Sequence, residues 1–145
     1  ASANPEDGGL AIDAKETVTN STHNFTMQVP FQSGKSYRIR VLIKALNENI
    51  FALFPSVDAA AKYLYYDFAS GTNLLSAGFS NITRTAVAGG GGGWYAVTAD
   101  LAVTAAGGTP TLTIAIAKPG PNPTFAGAIT DGLTIGSVRI YEILS

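Results

Sequence analysis

The segment Gly93 to Val103, G-W-Y-A-V-T-A-D-L-A-V, constrains the fold of this chain more than any other stretch. Apolar residues alternate along it with small or polar ones, which is the period of a half-buried β-strand. One face carries Tyr95, Val97, Ala99, Leu101 and Val103, and the opposite face carries Trp94, Ala96, Thr98, Asp100 and Ala102. Such a strand needs neighbours on both sides and a second layer over its apolar face, so the segment predicts a β-sandwich.

The same alternation recurs in other parts of the chain. Ser36 to Leu46 predicts a strand with a charged outer face, and Thr111 to Ala117 predicts one with an apolar inner face. In the first of these strands the inward residues are Tyr37, Ile39, Val41, Ile43 and Ala45, and the outward residues are Arg38, Arg40, Leu42 and Lys44. In Tyr63 to Phe68 one face carries Leu64, Tyr66 and Phe68, and the other carries Tyr63, Tyr65 and Asp67.

Turn-forming residues separate these strands, as in Ser70 to Asn73 and Gly107 to Pro110. The last strand, Gly132 to Ile143, has its alternation broken near Gly136, which predicts a β-bulge. Ser56 to Ala61 fits one helical turn with Ser56 as its cap. We therefore predict an all-β fold, an antiparallel β-sandwich of jelly-roll type with roughly eight to ten short strands.

The length of 145 residues predicts one domain that buries a core without help from a metal or a disulfide. Residues 1–9, A-S-A-N-P-E-D-G-G, show no periodicity and are rich in small and turn-forming types. We expect them to form a flexible N-terminal arm that becomes ordered only when something binds it. Residues 10–145 then form a single sandwich domain.

Composition excludes several classes of function. The chain has no cysteine, so disulfides and thiolate chemistry are absent. Its nine basic and ten acidic residues are scattered, without the basic stripe of a nucleic-acid-binding protein. It also lacks the run of about eighteen apolar residues that a membrane-spanning helix needs. Only 13% of the residues are charged, which is typical of proteins that work in assemblies.

The sequence offers no catalytic residue that we can name, so we predict that the protein is not an enzyme. A Ser/His/Asp triad would need His23, the single histidine, which lies in a polar T-H-N stretch, and no nucleophile elbow occurs. The run Gly89 to Gly93 carries no G-K-S/T motif, so a flexible hairpin explains it better than a phosphate-binding loop. The acidic residues form no recognisable glycosidase pair.

Two Asp-Gly pairs are candidates for a structural calcium site. Asp7 and Asp131 would place carboxylate oxygens around a hard cation if the two ends of the chain meet. The alternative is that both pairs simply form turns, for which Asp-Gly is a common choice. No other cofactor is expected.

Outward-facing aromatic and basic residues are the candidates for ligand contact. Tyr63 and Tyr65, together with Trp94, would form a platform on which sugar rings stack. The alternative is that Trp94 packs under a loop and the tyrosines are ordinary strand residues or a subunit contact. The basic residues Arg38, Arg40 and Lys44 would donate hydrogen bonds to glycan hydroxyls or to a protein partner, or would merely keep an exposed strand soluble.

Several short motifs follow one another along the chain. They are Pro5-Glu6-Asp7-Gly8, Gly34-Lys35-Ser36-Tyr37, Ile43-Lys44-Ala45, Tyr66-Asp67-Phe68-Ala69-Ser70-Gly71-Thr72, Gly93-Trp94-Tyr95-Ala96-Val97, Ile135-Gly136 and Glu142. In this order they resemble modules of tailed-phage virion proteins, the tail-fibre, tail-spike and head-fibre domains whose fold is similar to carbohydrate-binding modules. The motifs span most of the chain, and G-W-Y after a glycine loop is the most specific of them.

The resemblance implies that Trp94 and Tyr95 shape the sandwich. It also implies a non-enzymatic protein of the virion surface, either a capsid decoration (cement) protein or a head- or tail-fibre subunit. Its partners would be major capsid or fibre subunits, and the chain would form a homo-oligomer such as a trimer. The alternative is a carbohydrate-binding module of a tail spike or of a secreted, extracellular glycosidase, which binds a surface glycan through Tyr63 and Tyr65.

The chain departs from the family pattern in two places. Ala96 stands where the family usually has arginine, and the strand that commonly precedes the P-x-D-G stretch is absent. A neighbouring subunit would then complete the sheet, or residues 1–9 would pair with another protein. The resemblance therefore does not transfer a glycan site residue by residue.

Overall fold

The computed structural model describes residues 12–15, 21–122, 124–125 and 132–144, and within these residues the chain forms eleven β-strands and no helix. The strands are β1 (Ile12–Lys15), β2 (Ser21–Gln28), β3 (Ser36–Ala45), β4 (Ile50–Pro55), β5 (Tyr63–Asp67), β6 (Thr72–Ala77), β7 (Phe79–Val87), β8 (Trp94–Ala102), β9 (Thr111–Ala117), β10 (Thr124–Phe125) and β11 (Gly132–Ile143). The arm predicted at residues 1–9 lies outside the described residues.

The strands form two antiparallel sheets that pack face to face. One sheet has five strands in the order β1-β11-β3-β8-β7, and the other has six in the order β10-β2-β9-β4-β5-β6. The prediction of an all-β antiparallel sandwich is confirmed, and the jelly-roll connection stays a prediction. The number of described strands exceeds the predicted range of roughly eight to ten, because β10 adds a pair of only two residues, opposite Thr22 and Ser21 of β2.

The core lies between the two sheets and is built by the inward residues that alternation predicts. On the five-stranded sheet, the inner faces of β3 and β8 contribute Tyr37, Ile39, Val41, Ile43, Val97, Ala99 and Leu101. On the six-stranded sheet, they meet Phe51, Leu53, Leu64, Tyr66, Leu112, Ile114 and Ile116. Large members such as Ile39, Phe51 and Leu101 are 0% exposed, and each contributes roughly 1.5–3 kcal/mol through removal from water.

The prediction of a helical turn at Ser56 to Ala61 is wrong, because this segment bonds to a neighbouring loop rather than to itself. The Asp58 carboxylate accepts hydrogen bonds from the backbone N–H groups of Thr104 and Ala105, and Asp58 N–H donates to the carbonyl of Ala105 at 2.8 Å. Asp58 adopts a left-handed φ of 63° in doing so. Ser56 Oγ accepts a bond from Thr111 N–H at 2.9 Å instead of capping a helix.

The predicted bulge in the last strand is confirmed. The register of β11 against β3 shifts between Ile135 and Ser137, so Gly136 is the extra residue. A Cβ at Gly136 would lie 2.9 Å from Leu42 Cδ2 and 3.1 Å from Trp94 Cζ3. Glycine therefore lets the bulge approach two buried side chains on the outer side of this sheet.

Candidate functional site

The outer face of the five-stranded sheet places three of the four arginines of the chain next to one another. Tyr141, Arg38 and Asp100 are directly opposite one another on β11, β3 and β8. Arg139, Arg40 and Thr98 form the next row across the same strands. We call the surface formed by Arg38, Arg40, Asp100, Arg139 and Tyr141 the arginine face.

Asp100 holds one end of this face in a fixed geometry. Its Oδ1 accepts a hydrogen bond from Arg38 Nε at 2.8 Å, and its Oδ2 accepts bonds from Arg38 Nη2 at 3.0 Å and Asn81 Nδ2 at 2.9 Å. The guanidinium beside it lowers the pKa of the Asp100 carboxyl below its usual value, and the same pair raises the pKa of Arg38. A fork of two parallel bonds of this kind orients a guanidinium more strongly than a single contact does.

Three members of the arginine face, Arg38, Arg139 and Tyr141, are exposed, and Arg40 is half-buried. The side chain of Arg38 is 49% exposed although it is bonded to Asp100, Tyr141 is 47% exposed, and Arg139 is exposed. Beside them, the hydroxyls of Thr83 and Thr98 are in hydrogen-bond contact across β7 and β8. The face is thus a flat, polar and mainly cationic surface with an aromatic ring at one margin.

The opposite end of the same sheet is closed by the glycine loop. Trp94 faces outward on β8, as alternation predicts, but it is only 1% exposed and packs with Leu42, Ala96 and Val87. Its Nε1–H donates to the carbonyl oxygen of Gly90 at 3.0 Å. Trp94 therefore packs under a loop, as the alternative interpretation proposed.

The conformation of this loop needs glycine at every position. Gly89, Gly90, Gly91, Gly92 and Gly93 all have positive φ, between 59° and 97°. Other L-residues rarely adopt such a run, because their Cβ atom would clash with the backbone. The glycine loop therefore covers the indole of Trp94. Lys44 lies beside the loop, and its Nζ is 3.5 Å from the position that a Cβ atom would have at Gly91.

The predicted aromatic platform is not formed as a single surface. Tyr63 and Tyr65 lie on β5 in the six-stranded sheet, whereas Trp94 lies on β8 in the other sheet. The prediction that Trp94 joins the two tyrosines is therefore wrong. Burial of the indole between its own sheet and the glycine loop is the physical reason that it offers no stacking face.

Tyr63 and Tyr65 do face outward, on a surface that is more apolar than the sequence suggests. Here they pack with Phe54 over Ile50, Ala52, Ala115 and Ala117, and we call this surface the tyrosine face. The ring of Tyr65 contacts those of Phe54 and Tyr63 edge to face, at centroid distances of 5.6 and 6.0 Å. Tyr65 is 8% exposed, and burial raises the pKa of its hydroxyl. Tyr65 therefore has no free ring face, whereas Tyr63 is half-buried.

The remaining predicted site residues fall in three different places. Tyr95 faces the core side of β8, and the guanidinium of Arg84 lies 4.5 Å from its ring centroid. His23 lies on β2 opposite Ile116, and its side chain is outside the described residues. Asp7 and Asp131 are also outside them, so the calcium site stays a prediction. In the described part of the chain, no three His, Asp or Glu residues form a group suited to a metal ion.

Arg139 and Tyr141 are the functional candidates that the sequence did not reveal. The bulge at Gly136 shifts the alternation of β11 by one residue, so a single period does not fit the whole strand. If the alternation of inward and outward residues is restarted at Ser137, it predicts both of them. Val138 and Ile140 then pack on the core, and Arg139 and Tyr141 face outward.

No protein-family model and no curated protein matches the chain significantly. Among the described residues, no helix has the length and apolar character needed to cross a membrane.

Proposed function

We propose that this chain is a non-enzymatic structural protein of a tailed-phage particle, acting as a capsid decoration (cement) protein or as a head- or tail-fibre subunit. The observation that carries the proposal is the arginine face, where Arg38, Arg139 and Tyr141 are exposed side by side on rigid strands. Arginine and tyrosine are the residue types that protein–protein interfaces favour at their centres. A flat surface built on strands suits contact with another protein better than enclosure of a small molecule.

The attribution to a phage particle is supported by the resemblance of the sequence motifs to virion modules. Two of these motifs have structural roles that fit the proposal. The G-W-Y motif starts β8 and contains the buried Trp94, and Ile135-Gly136 forms the bulge that packs against Trp94. Major capsid or fibre subunits are the proposed partners, with self-association into a homo-oligomer such as a trimer. The virion surface is the proposed location.

A direct test is to locate the chain on purified particles of the phage that encodes it. Antibodies raised against the recombinant chain would be used for immunogold electron microscopy of particles banded by density gradient. We expect regularly spaced label on the head surface or on fibres, and a stoichiometric band of the chain in the particle proteins. Label confined to lysate debris, with no chain in banded particles, would disprove the proposal.

The second candidate is a carbohydrate-binding module, located on a tail spike or secreted outside the cell. It is favoured by Tyr63, which is half-buried on the tyrosine face, and by the exposed hydroxyls of Thr26 and Thr113, which contact each other at 2.8 Å on the same sheet. A glycan array with Tyr63→Ala as the variant tests it. Saturable glycan binding that Tyr63→Ala removes would favour this candidate, and an array without signal would favour the structural protein.

A further inference from the structure

The arginine face is richer in arginine than the rest of the chain. The chain as a whole has nine basic and ten acidic residues and a formal net charge of −1. Among the side chains that the structure describes, the arginine face aligns Arg38, Arg40 and Arg139 on neighbouring strands, with the Asp100 carboxylate bonded to Arg38. Aligning three guanidinium groups on one face of a nearly neutral protein enriches that face in cationic groups relative to the chain as a whole.

Asp100 compensates the charge of Arg38 and fixes its orientation, so it leaves the charge of Arg139 uncompensated. Its carboxylate is only 10% exposed and is engaged by both Arg38 and Asn81. Within the described residues, no carboxylate is in ion-pair contact with Arg139. Glu142, the next acid on β11, is bonded to Lys35 at 2.7 Å, at the end of the sandwich. Because Arg139 is also exposed, a partner can reach its guanidinium.

We infer that the arginine face is the docking surface of the protein and that its partner is a carboxylate-rich protein surface on the particle. The inference rests on the proposed function and names the chemistry of the contact. Guanidinium groups bind carboxylates through two parallel N–H···O bonds. Tyr141, next to Arg38 and 47% exposed, supplies an aromatic ring that gains from burial, and the Thr83 and Thr98 hydroxyls add neutral hydrogen bonds.

The features of the face favour a protein over a sulfated polysaccharide. Two cross-strand rows on three strands form a plane rather than a cleft that would hold a single chain. An aromatic ring beside a pre-oriented arginine is the composition of an interface centre, whereas a polyanion needs cations alone.

The test measures binding of the purified chain to phage particles that lack it, by co-sedimentation over a range of protein concentrations. The variant is Arg139→Gln, and the matched control is Lys35→Gln, which removes the same charge from an exposed residue at the end of the sandwich. We expect Arg139→Gln to weaken binding by about tenfold or more and Lys35→Gln to leave it within about twofold. Circular dichroism melting shows that both variants fold.

The salt dependence of particle binding is a second test of the same contact. Raising the salt concentration from about 0.01 M to about 1 M shortens the Debye length from about 30 Å to about 3 Å. Wild-type binding should weaken steeply over this range and Arg139→Gln binding less steeply.

Equal binding by wild type and Arg139→Gln at all salt concentrations would overturn the inference and leave the proposed function standing. Binding of both proteins to immobilised heparin is measured as well. If Arg139→Gln loses the heparin binding of the wild type while its particle binding is unchanged, the inference is overturned in favour of a polysaccharide. Failure of the wild type to bind any particle would overturn the proposed function and the inference with it.

Discussion

Arg38 donates two hydrogen bonds to the carboxylate of Asp100, from Nε to Oδ1 at 2.8 Å and from Nη2 to Oδ2 at 3.0 Å. The pair spans β3 and β8 at the centre of the five-stranded sheet. It therefore connects the two strands on their outer side, while Ile39 and Ala99 connect them on the core side. The same pair fixes the orientation of Arg38 in the arginine face.

The Arg38–Asp100 pair predicts the direction in which the stability of the fold changes with pH. The pKa of Asp100 is lower in the folded state than its usual value of 3.8. The ionised carboxylate thus contributes stability that is fully present above the unfolded-state pKa and is lost as the pH falls through the folded-state pKa. We expect Asp100→Asn to lower the free energy of unfolding by about 1–3 kcal/mol at neutral pH.

The measurement is urea unfolding of wild type and Asp100→Asn across the acid range. The difference between the two free energies should be constant at neutral pH and should shrink below about pH 4. Asp58 also has a lowered pKa, but it is present in both proteins and cancels in the difference. A difference that grows as the pH falls would contradict the assignment.

Arg84 should stabilise the fold because it closes one side of the sandwich. Its guanidinium lies over the ring of Tyr95 in the five-stranded sheet and donates to the carbonyl oxygens of Phe68 and Ala69 beside β5 of the other sheet. We expect Arg84→Ala to lower the free energy of unfolding by about 1–3 kcal/mol. Arg139→Ala, which removes an exposed arginine, is the control and should change it by less than about 0.5 kcal/mol. Equal effects of the two substitutions would show that the bridge across the sheets is not formed.

Gly136 and Gly107 form a matched pair for testing the packing around Trp94. A Cβ at Gly136 would press on the buried side chains of Leu42 and Trp94, whereas a Cβ at Gly107 has nothing within 4 Å. We expect Gly136→Ala to lower the free energy of unfolding by about 1–3 kcal/mol through overpacking. We expect Gly107→Ala to be neutral or stabilising by up to about 1 kcal/mol. Thermal unfolding of the two variants, measured in parallel, would contradict the structure if Gly107→Ala were the more damaging.

Trp94 is the single tryptophan of the chain, so its fluorescence reports its burial directly. Because the indole is 1% exposed under the glycine loop, its emission should lie well to the blue of the unfolded protein. Iodide should quench it only weakly until the chain unfolds. Strong quenching in the folded state, or an emission change on adding a sugar, would revive Trp94 as a ligand platform.

Most of the fold could be predicted from the sequence because, along most of the long strands, residues that face the core alternate with residues that face the outer side of the sheet. Period-two alternation correctly places the inward tyrosine of the G-W-Y motif and the outward residues of β3, which are Arg38, Arg40, Leu42 and Lys44. Alternation could not predict how far an outward residue is exposed. Trp94 and Tyr65 both face outward and are nearly inaccessible, since a loop covers one and neighbouring rings cover the other.

The candidate site was harder to predict because it depends on contacts between distant segments. Arg38 and Asp100 are 62 residues apart in the chain, and only the register of β3 against β8 brings them together. Arg139 and Tyr141 were missed because one extra residue at Gly136 reverses the alternation of β11. A bulge is visible in a sequence as a broken period, but the pairing partner on the next strand is not.

The central claim, docking through the arginine face, is tested most directly by a cryo-electron microscopy reconstruction of the phage particle. We predict density for a two-sheet sandwich whose five-stranded sheet faces a neighbouring protein, with Arg139 and Tyr141 buried against acidic side chains. A sandwich whose arginine face points to open solvent, with the particle contacting any other surface, would contradict the claim.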